Sequence, residues 1–373
     1  MQTIHHPLLS PSLGTQRTLT SLHFGPEQAT RKAYIQASLH ADELPGMLVA
    51  HHLRDLLSAA EGRDELLGRV ILVPMANPIG LSQTAMHHQL GRFELASMEN
   101  FNRHYPDFFA LLKDDMVPLL GPDPEQNQTT IRAAMARALD EQTPSTELQS
   151  LRQTLMRLSH DADLVLDLHC DCEAVMHLYV EQAVVDRLAP LARYLGARAV
   201  LWANGSGGSI SFDEALSGPW WRLQAHFAGQ APVPLGCAST TVELRGQSDV
   251  SDAQALQDAL AICHYLQHEG VLAGAPPALP PALCEPTPLA GTEALLAPHP
   301  GVIAFTCQPG DEVQPGQVLA HVVDPIAHRR TAVISSIAGL VYARQNLRWA
   351  TAGLELCRVA GREPIRSGNL LSP

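Results

Sequence analysis

The sequence predicts an α/β fold followed by a smaller all-β part. Three observations support this. Apolar runs of strand length alternate with segments of helical periodicity over roughly the first 270 residues. A proline-rich stretch then interrupts both patterns. Beyond it, short apolar runs alternate with glycine-containing turns. We therefore expect an α/β domain over 1–273, a linker over 274–290 and a β-rich domain over 291–373.

Within the first domain, the predicted strands share an apolar, β-branched character, and several end in polar residues. We predict strands at 33–39, 70–75, 163–168, 199–203 and 240–244, and helices at 46–60 and 252–268. Two further helices are expected in 108–160, around a polar loop at 121–130. Strands that end in polar side chains are typical of an open sheet flanked by helices, with its site at the carboxyl ends of the strands.

Composition narrows the functional class. The net charge is −13 with 46% hydrophobic residues, so a large core is expected and nucleic acid is not an expected partner. No apolar stretch of about 18 residues is present that would predict a membrane span. The N-terminal residues lack the basic and apolar regions of a signal peptide. The seven cysteines are irregularly spaced, which favours a reducing cytoplasm over a disulfide framework.

The β-rich part carries a turn pattern of its own, in Gly310-Asp311, Gly316-Gln317 and Gly339-Leu340. It resembles the biotinyl/lipoyl barrel-sandwich domain, which carries its cofactor on a lysine at a hairpin tip. The corresponding stretch, 324–330, contains no lysine, and the last lysine of the chain is Lys113. We therefore expect a structural or gating domain rather than a cofactor carrier.

A candidate metal site comes from His40 and Glu43, which lie three residues apart after an apolar run. His169 follows a second apolar run far along the chain. Two nitrogens and one carboxylate are a three-ligand zinc set that leaves one position for water. The alternative is a surface histidine beside an ordinary carboxylate.

Three other pairs are possible metal ligands. His51 and His52 are adjacent in a predicted helix, so their side chains point apart. His87 and His88 are also adjacent, and they lie in the loop before Arg92, where they could line the substrate pocket. Cys170 and Cys172 follow His169, but a C-x-C pair lacks the second half of a structural zinc site. We therefore expect none of these pairs to bind the metal.

Four short motifs now occur in order. They are His40-x-x-Glu43, Asn100-Phe101-Asn102-Arg103, Asp167-Leu168-His169 and Thr240-Thr241-Val242-Glu243-Leu244. Together they resemble the succinylglutamate desuccinylase/aspartoacylase family, a branch of the zinc carboxypeptidase fold. The resemblance covers most of the chain, including a β-rich C-terminal domain. It implies a zinc carboxypeptidase-like sheet and one Zn²⁺ per chain, bound by His40, Glu43 and His169.

The resemblance also implies roles for four other residues. Glu243 matches the catalytic glutamate, and the alternative is a solvated carboxylate paired with Arg245. Asn102 and Arg103 match the pair that grips a substrate carboxylate, since an arginine fork binds a carboxylate through two hydrogen bonds. Arg92 matches the arginine that stabilises the oxyanion, although its interval to Asn102 is slightly longer than is usual in the family. A surface salt bridge is the alternative for Arg92.

The expected function is hydrolysis of an amide bond in a small N-acyl amino acid or acylated amine. The expected partner is a small molecule that carries a carboxylate, and exposed sheet edges would allow a homo-oligomer. One alternative is a zinc carboxypeptidase acting on peptides, which would have a more open site. Another is a catalytically inactive zinc-binding protein, which would be expected to lack Glu243.

Overall fold

The computed structural model describes residues 1–371. In chain order, the strands in this part of the chain are β1 (Gln2–Pro7), β2 (Thr18–Phe24), β3 (Lys32–Ala37), β4 (Arg69–Val73), β5 (Thr84–Ala85), β6 (His88–Gln89), β7 (Leu164–Asp171), β8 (Glu173–Ala174), β9 (Met176–Glu181), β10 (Ala199–Ala203), β11 (Ala238–Gly246), β12 (Thr287–Pro288), β13 (Thr292–Leu296), β14 (Gly301–Phe305), β15 (Glu312–Val313), β16 (Val318–Asp324), β17 (Arg329–Ile334), β18 (Gly339–Arg344), β19 (Trp349–Ala350) and β20 (Glu355–Ala360).

The α-helices are α1 (Pro45–Glu61), α2 (Pro78–Leu81), α3 (Phe108–Leu112), α4 (Pro124–Glu141), α5 (Glu147–Ser159), α6 (Val185–Leu195), α7 (Phe212–His226) and α8 (Asp252–His268). Among the described residues, no helix combines the length and the apolar character needed to cross a bilayer.

The central element is a mixed nine-stranded sheet with the order β1-β2-β4-β3-β7-β11-β9-β10-β12. Its middle strands β4, β3, β7 and β11 run parallel, and β9 is antiparallel to β11. One face packs against α1, α6 and α8, and the other against α3, α4, α5 and α7. The predicted α/β class with a mixed sheet between helices is therefore confirmed.

Helix α4 begins where a side chain satisfies its free N–H groups. The side chain of Asp123 accepts hydrogen bonds from the backbone N–H groups of Glu125 and Gln126, and Pro124 occupies the first turn of α4. The predicted loop at 121–130 is therefore wrong beyond Asp123. Proline there begins a helix rather than interrupting one, because the first-turn N–H has no partner inside the helix.

The C-terminal strands form two antiparallel sheets. One has the order β13-β20-β18-β15, with β8 also paired to β18, and the other has the order β17-β16-β14-β19. The predicted all-β character is confirmed, but the described strands form no closed barrel. Because β8 follows β7 directly, this pairing brings the C-terminal strands beside the carboxyl end of the central sheet. The domain limits at 273 and 290 stay a prediction.

Protonation of a buried histidine should couple the stability of the fold to pH. The imidazole of His177 is fully buried, its Nδ1 donates to the Val175 carbonyl oxygen at 2.9 Å, and burial lowers its pKa to about 4. In the unfolded chain this pKa is about 6.5. Unfolding therefore takes up a proton between these two values, and stability falls as the pH drops from about 6.5 to about 4.

We expect His177→Gln to reduce the number of protons taken up on unfolding by about one. The pH dependence of the free energy of unfolding measures this number, by urea unfolding of the chelator-treated protein between about pH 4.5 and pH 7.5. His177 alone should change that free energy by at most about 3 kcal/mol over this range. His88→Gln, which changes an exposed histidine in β6, is the matched control. An unchanged pH slope in the His177 variant would contradict the assignment.

Candidate metal centre and cavity

The first two predicted ligands lie in a turn between β3 and α1. Ser38 has a left-handed backbone (φ 58°), and the Glu43 N–H donates to the His40 carbonyl oxygen at 3.1 Å. This reversal places both side chains at the carboxyl end of β3, and each is only 4% exposed. Pro45 then begins α1. The turn therefore presents an imidazole and a carboxylate to one buried point.

His169 reaches the same point from the neighbouring strand. In the parallel pairing of β3 with β7, Ala37 lies opposite Leu168, and His169 follows with 2% of its surface exposed. Its ring centroid is 4.9 Å from that of His40. The structure thus brings together ligands separated by more than a hundred residues in the sequence.

The Glu43 carboxylate lies between the two imidazoles. Its Oε1 is 2.9 Å from His40 Nδ1, and its Oε2 is 2.7 Å from His169 Nδ1. The Cys170 backbone N–H also donates to Oε2, at 3.1 Å. One donor atom from each of the three side chains lies within 4.8 Å of the others, so His40, Glu43 and His169 could hold a metal ion.

The outer nitrogens of both imidazoles have partners of their own. His40 Nε2 lies 2.9 Å from the Asn100 side-chain oxygen, so it is protonated there. His169 Nε2 lies 2.9 Å from Oδ2 of the buried Asp167, without the alignment of a hydrogen bond. Such outer contacts fix the tautomer and orientation of metal-binding histidines. Both Nδ1 atoms thus face inward, and the residues fit a metal with nitrogen and carboxylate ligands.

Burial and neighbouring charges shift the pKa values of all three possible ligands. Burial, and then the Arg92 charge, lower the pKa of His40 to about 4, which keeps the imidazole neutral as a metal ligand must be. Burial also lowers the pKa of His169, but Asp167 and Glu43 outweigh it and hold that pKa well above its usual value. Burial raises the pKa of Glu43, yet the two histidines hold it below its usual value.

Glu243 lies on the other side of His169. In the parallel pairing of β7 with β11, the two residues are direct neighbours. Burial, and then the charge of Glu43, raise the pKa of the Glu243 carboxyl to about 8, and its Oε2 has no hydrogen-bond partner. The alternative pairing with Arg245 is wrong, because the Arg245 guanidinium pairs with Asp258 instead. Glu243 thus has a buried carboxyl oxygen without a hydrogen-bond partner beside the three possible ligands.

Arg92 approaches the cluster from a loop held against the turn after β3. Its Nη1 lies 3.7 Å from Glu43 Oε1. The preceding Gly91 permits this approach, since a Cβ there would lie 2.1 Å from the Asp42 backbone nitrogen. The Arg92 side chain remains 42% exposed. It lines the cavity.

Asn102 and Arg103 also line the cavity and are nearly buried. The Asn102 side-chain oxygen accepts a hydrogen bond from the Phe212 N–H at 2.8 Å, at the start of α7. Arg103 donates to the Asn102 carbonyl oxygen at 2.7 Å, and burial lowers the pKa of its guanidinium. A hydrogen bond to a backbone group therefore fixes the position of each side chain.

All seven predicted site residues line one cavity of about 360 Å³. The sequence motifs include Asn100 and Asp167, which contact His40 and His169, but they do not include three other polar groups of this cavity. Glu181 and Asp213 are buried there, and Arg358 comes from β20 in the C-terminal part. Nothing in the local sequence pattern marks these three, because they reach the cavity through strand and helix packing.

The other candidate pairs have different environments. His51 and His52 lie on α1, and His87 and His88 are exposed around the β5–β6 turn; none of the four lines the cavity. Cys170 and Cys172 do line it, but neither belongs to the group of three possible ligands. Burial raises the pKa of both thiols, to about 11 in Cys172, so thiolates are disfavoured.

Comparison with known proteins points to one protein family. The sequence model of that family, the succinylglutamate desuccinylase/aspartoacylase catalytic domain, matches residues 29–118. This range includes His40, Glu43, Arg92, Asn102 and Arg103. A comparison with curated proteins gives no match. A solved family protein from Shewanella amazonensis SB2B is 26% identical with a TM-score of 0.85, over 96% of this chain and 98% of its own.

Two more distant solved structures share the fold. A succinylglutamate desuccinylase/aspartoacylase protein from Shewanella frigidimarina NCIMB 400 is 24% identical with a TM-score of 0.84, over 96% of this chain and 97% of its own. An ectoine utilization protein from Ruegeria pomeroyi, in a product-bound structure, is 17% identical with a TM-score of 0.66, over 97% and 95%. The catalytic-domain match and the likeness over nearly the full length show that the chain is similar to proteins of the succinylglutamate desuccinylase/aspartoacylase family.

Proposed function

We propose that this protein is a zinc-dependent amidohydrolase that removes the acyl group from a small N-acyl amino acid or acylated amine. The observation that carries the proposal is the convergence of His40, Glu43 and His169 beside the unpaired carboxyl of Glu243. A zinc ion bound by the three side chains would polarise the scissile carbonyl and make water acidic enough to react near neutral pH. The chain resembles a family of deacylases that act on acyl amino acids, which supports the same reaction.

Glu243 is the proposed proton carrier. As a carboxylate it takes a proton from the attacking water, and as a carboxylic acid it returns the proton to the leaving nitrogen. Its buried position suits both steps, because burial raises its pKa toward neutrality. The positive charge of a bound metal would lower this pKa and so favour the carboxylate before the reaction begins.

The arginines are proposed to position the substrate. Arg92, at the edge of the ligand cluster, would donate to the oxygen of the scissile carbonyl as negative charge develops on it. Arg103, supported by Asn102, would bind a substrate carboxylate through its fork. With the carboxylate held there and the amide at the ligand cluster, the substrate would have one orientation.

The size of the cavity favours small substrates over peptides. Its volume is about 360 Å³, and Gln345 and Arg358 of the C-terminal part contribute to its lining. Lining residues from the C-terminal part would narrow the site, whereas a peptide carboxypeptidase is expected to have an open groove. We also propose three further properties. They are a relationship to the zinc carboxypeptidases, a lipoyl-like C-terminal domain and a cytoplasmic location.

Metal removal is the first test. We expect one zinc ion per chain by elemental analysis, loss of hydrolysis after treatment with a chelator, and recovery on adding zinc. Glu43→Ala should lose most of the bound zinc, because it removes a ligand that lies between the two histidines. His88→Ala, which changes an exposed histidine outside the cavity, is the control. Activity that survives chelation would contradict the metal mechanism.

Substitution of the proton carrier is the second test. We expect Glu243→Gln to lower kcat by about 10²–10⁴-fold, the usual range for loss of a general base. Zinc content should stay near one per chain, since Glu243 is not one of the three proposed ligands. Steady-state kinetics with an N-acyl amino acid and elemental analysis measure the two quantities. Full activity in a variant that retains zinc would rule out the assigned role.

The carboxylate grip is the third test. Arg103→Lys keeps the charge but loses the two-pronged fork, so kcat/KM for an N-acyl amino acid should fall about tenfold or more. The matched comparison uses the same acyl amine without its α-carboxylate, and for this substrate Arg103→Lys should lower kcat/KM much less. Equal losses on both substrates would show that Arg103 does not bind the carboxylate.

A further inference from the structure

The cavity continues from the ligand cluster along one face of the central sheet. In the antiparallel pairing of β9 with β11, His177 lies opposite Glu243 and Tyr179 lies opposite Thr241. Glu181 comes next on this face, at the end of β9, and it also lines the cavity. The start of α7, with Asp213 and Glu214, contributes to the lining in the same region. We call this end of the cavity, defined by Glu181, Asp213 and Glu214, the acidic arm.

Glu181 is the exceptional member of the acidic arm. Its side chain is 5% exposed, and its Oε2 has no hydrogen-bond partner. No ion pair joins it to a basic residue within 1–371. A buried carboxyl in this state is unfavourable unless something supplies the missing contact.

The neighbouring carboxylates have partners of their own. Asp213 accepts a hydrogen bond from the Ser211 hydroxyl at 2.6 Å. Glu214 accepts from the backbone N–H groups of Ser206 and Ser211. Arg103 acts electrostatically on both Glu214 and Asp213. Among the three carboxyls of the acidic arm, only that of Glu181 has a buried oxygen without a hydrogen-bond partner.

The electrostatics agree with this geometry. Burial, and then the charges of Glu214 and Asp213, raise the pKa of Glu181 to about 8, an effect that the nearby Gly205 backbone N–H and Trp221 indole N–H only partly offset. A protonated Glu181 would still need an acceptor for its proton, and its Oε2 has none. A bound cation would satisfy the carboxylate and restore its ordinary ionisation.

A metal ion is a poor candidate for that cation. The only group of three or more metal-ligating side chains found within 1–371 is His40, Glu43 and His169. The acidic arm thus lacks the convergent geometry that a divalent cation requires. An ammonium or guanidinium group needs only one or two carboxylate contacts, so it fits better.

We propose that the acidic arm binds a cationic group of the substrate through Glu181, which makes the substrate an Nα-acyl derivative of a basic amino acid. The inference rests on the proposed function for the position of the amide and the carboxylate. Glu181 is four residues beyond His177 on β9, about 13 Å along the strand. That separation favours a long aliphatic spacer, as in lysine or arginine, over a short one.

The test compares matched substrates with the zinc-loaded protein. The Nα-acetyl and Nα-succinyl derivatives of L-lysine and L-norleucine differ only in the terminal ammonium. We expect kcat/KM to be at least about tenfold higher for lysine than for norleucine, the size of one charge-assisted hydrogen bond. Glu181→Gln, which keeps the shape of the side chain, should reduce this lysine-to-norleucine ratio to near one. Titration calorimetry with free L-lysine and L-norleucine measures the same preference without catalysis.

Glu147→Gln is the matched control variant, since it removes another buried carboxylate from a position outside the cavity. It should leave the lysine-to-norleucine ratio unchanged. Hydrolysis without a lysine preference, or a preference that survives Glu181→Gln, overturns the inference and leaves the proposed function standing. Glu181-dependent binding of L-lysine without hydrolysis of any derivative supports the cation site and overturns the proposed function. If the protein shows neither a binding preference for L-lysine nor hydrolysis of any derivative, both the inference and the proposed function are overturned.

Discussion

The parallel pairing of β3 with β7 is the constraint on which the site depends. It sets Ala37 opposite Leu168, so the turn that carries His40 and Glu43 begins where His169 emerges from the sheet. Glu43 then bridges the two imidazoles. A shift of one residue in this register would turn His169 to the other face of the sheet, because side chains alternate along a strand. The candidate metal site therefore depends on the register of the sheet.

The cavity concentrates negative charge that the fold does not neutralise by itself. Glu43 is stabilised by the two histidines, whereas Glu243 and Glu181 have buried oxygens without partners. Burying unpaired carboxyls is costly, and such costs are typical of functional sites. A metal ion at one end of the cavity and a substrate cation at the other would relieve both. The distribution of charge thus suits the binding of two cations in fixed places.

The C-terminal strands take part in building the site. The β8–β18 pairing joins them to the central part, where Glu173 lies opposite Arg344. Arg358 of β20 donates to Asp171, the last residue of β7, at 3.0 Å. From the sequence, a structural or gating role is expected for this region. The structure adds a direct contribution to the cavity wall.

The alternation of strands and helices, the short motifs of the candidate site and the resemblance to a family can be read from the sequence, because they depend on local periodicity and on short spacings. The start of α4 is misassigned from the sequence, because Pro124 has the composition of a loop but the position of a helix start. That Glu181 and Asp213 share a cavity with His169 follows only from the tertiary fold. Such neighbours come from strand pairing and helix packing across long stretches of chain, and no local pattern records which distant residues will meet.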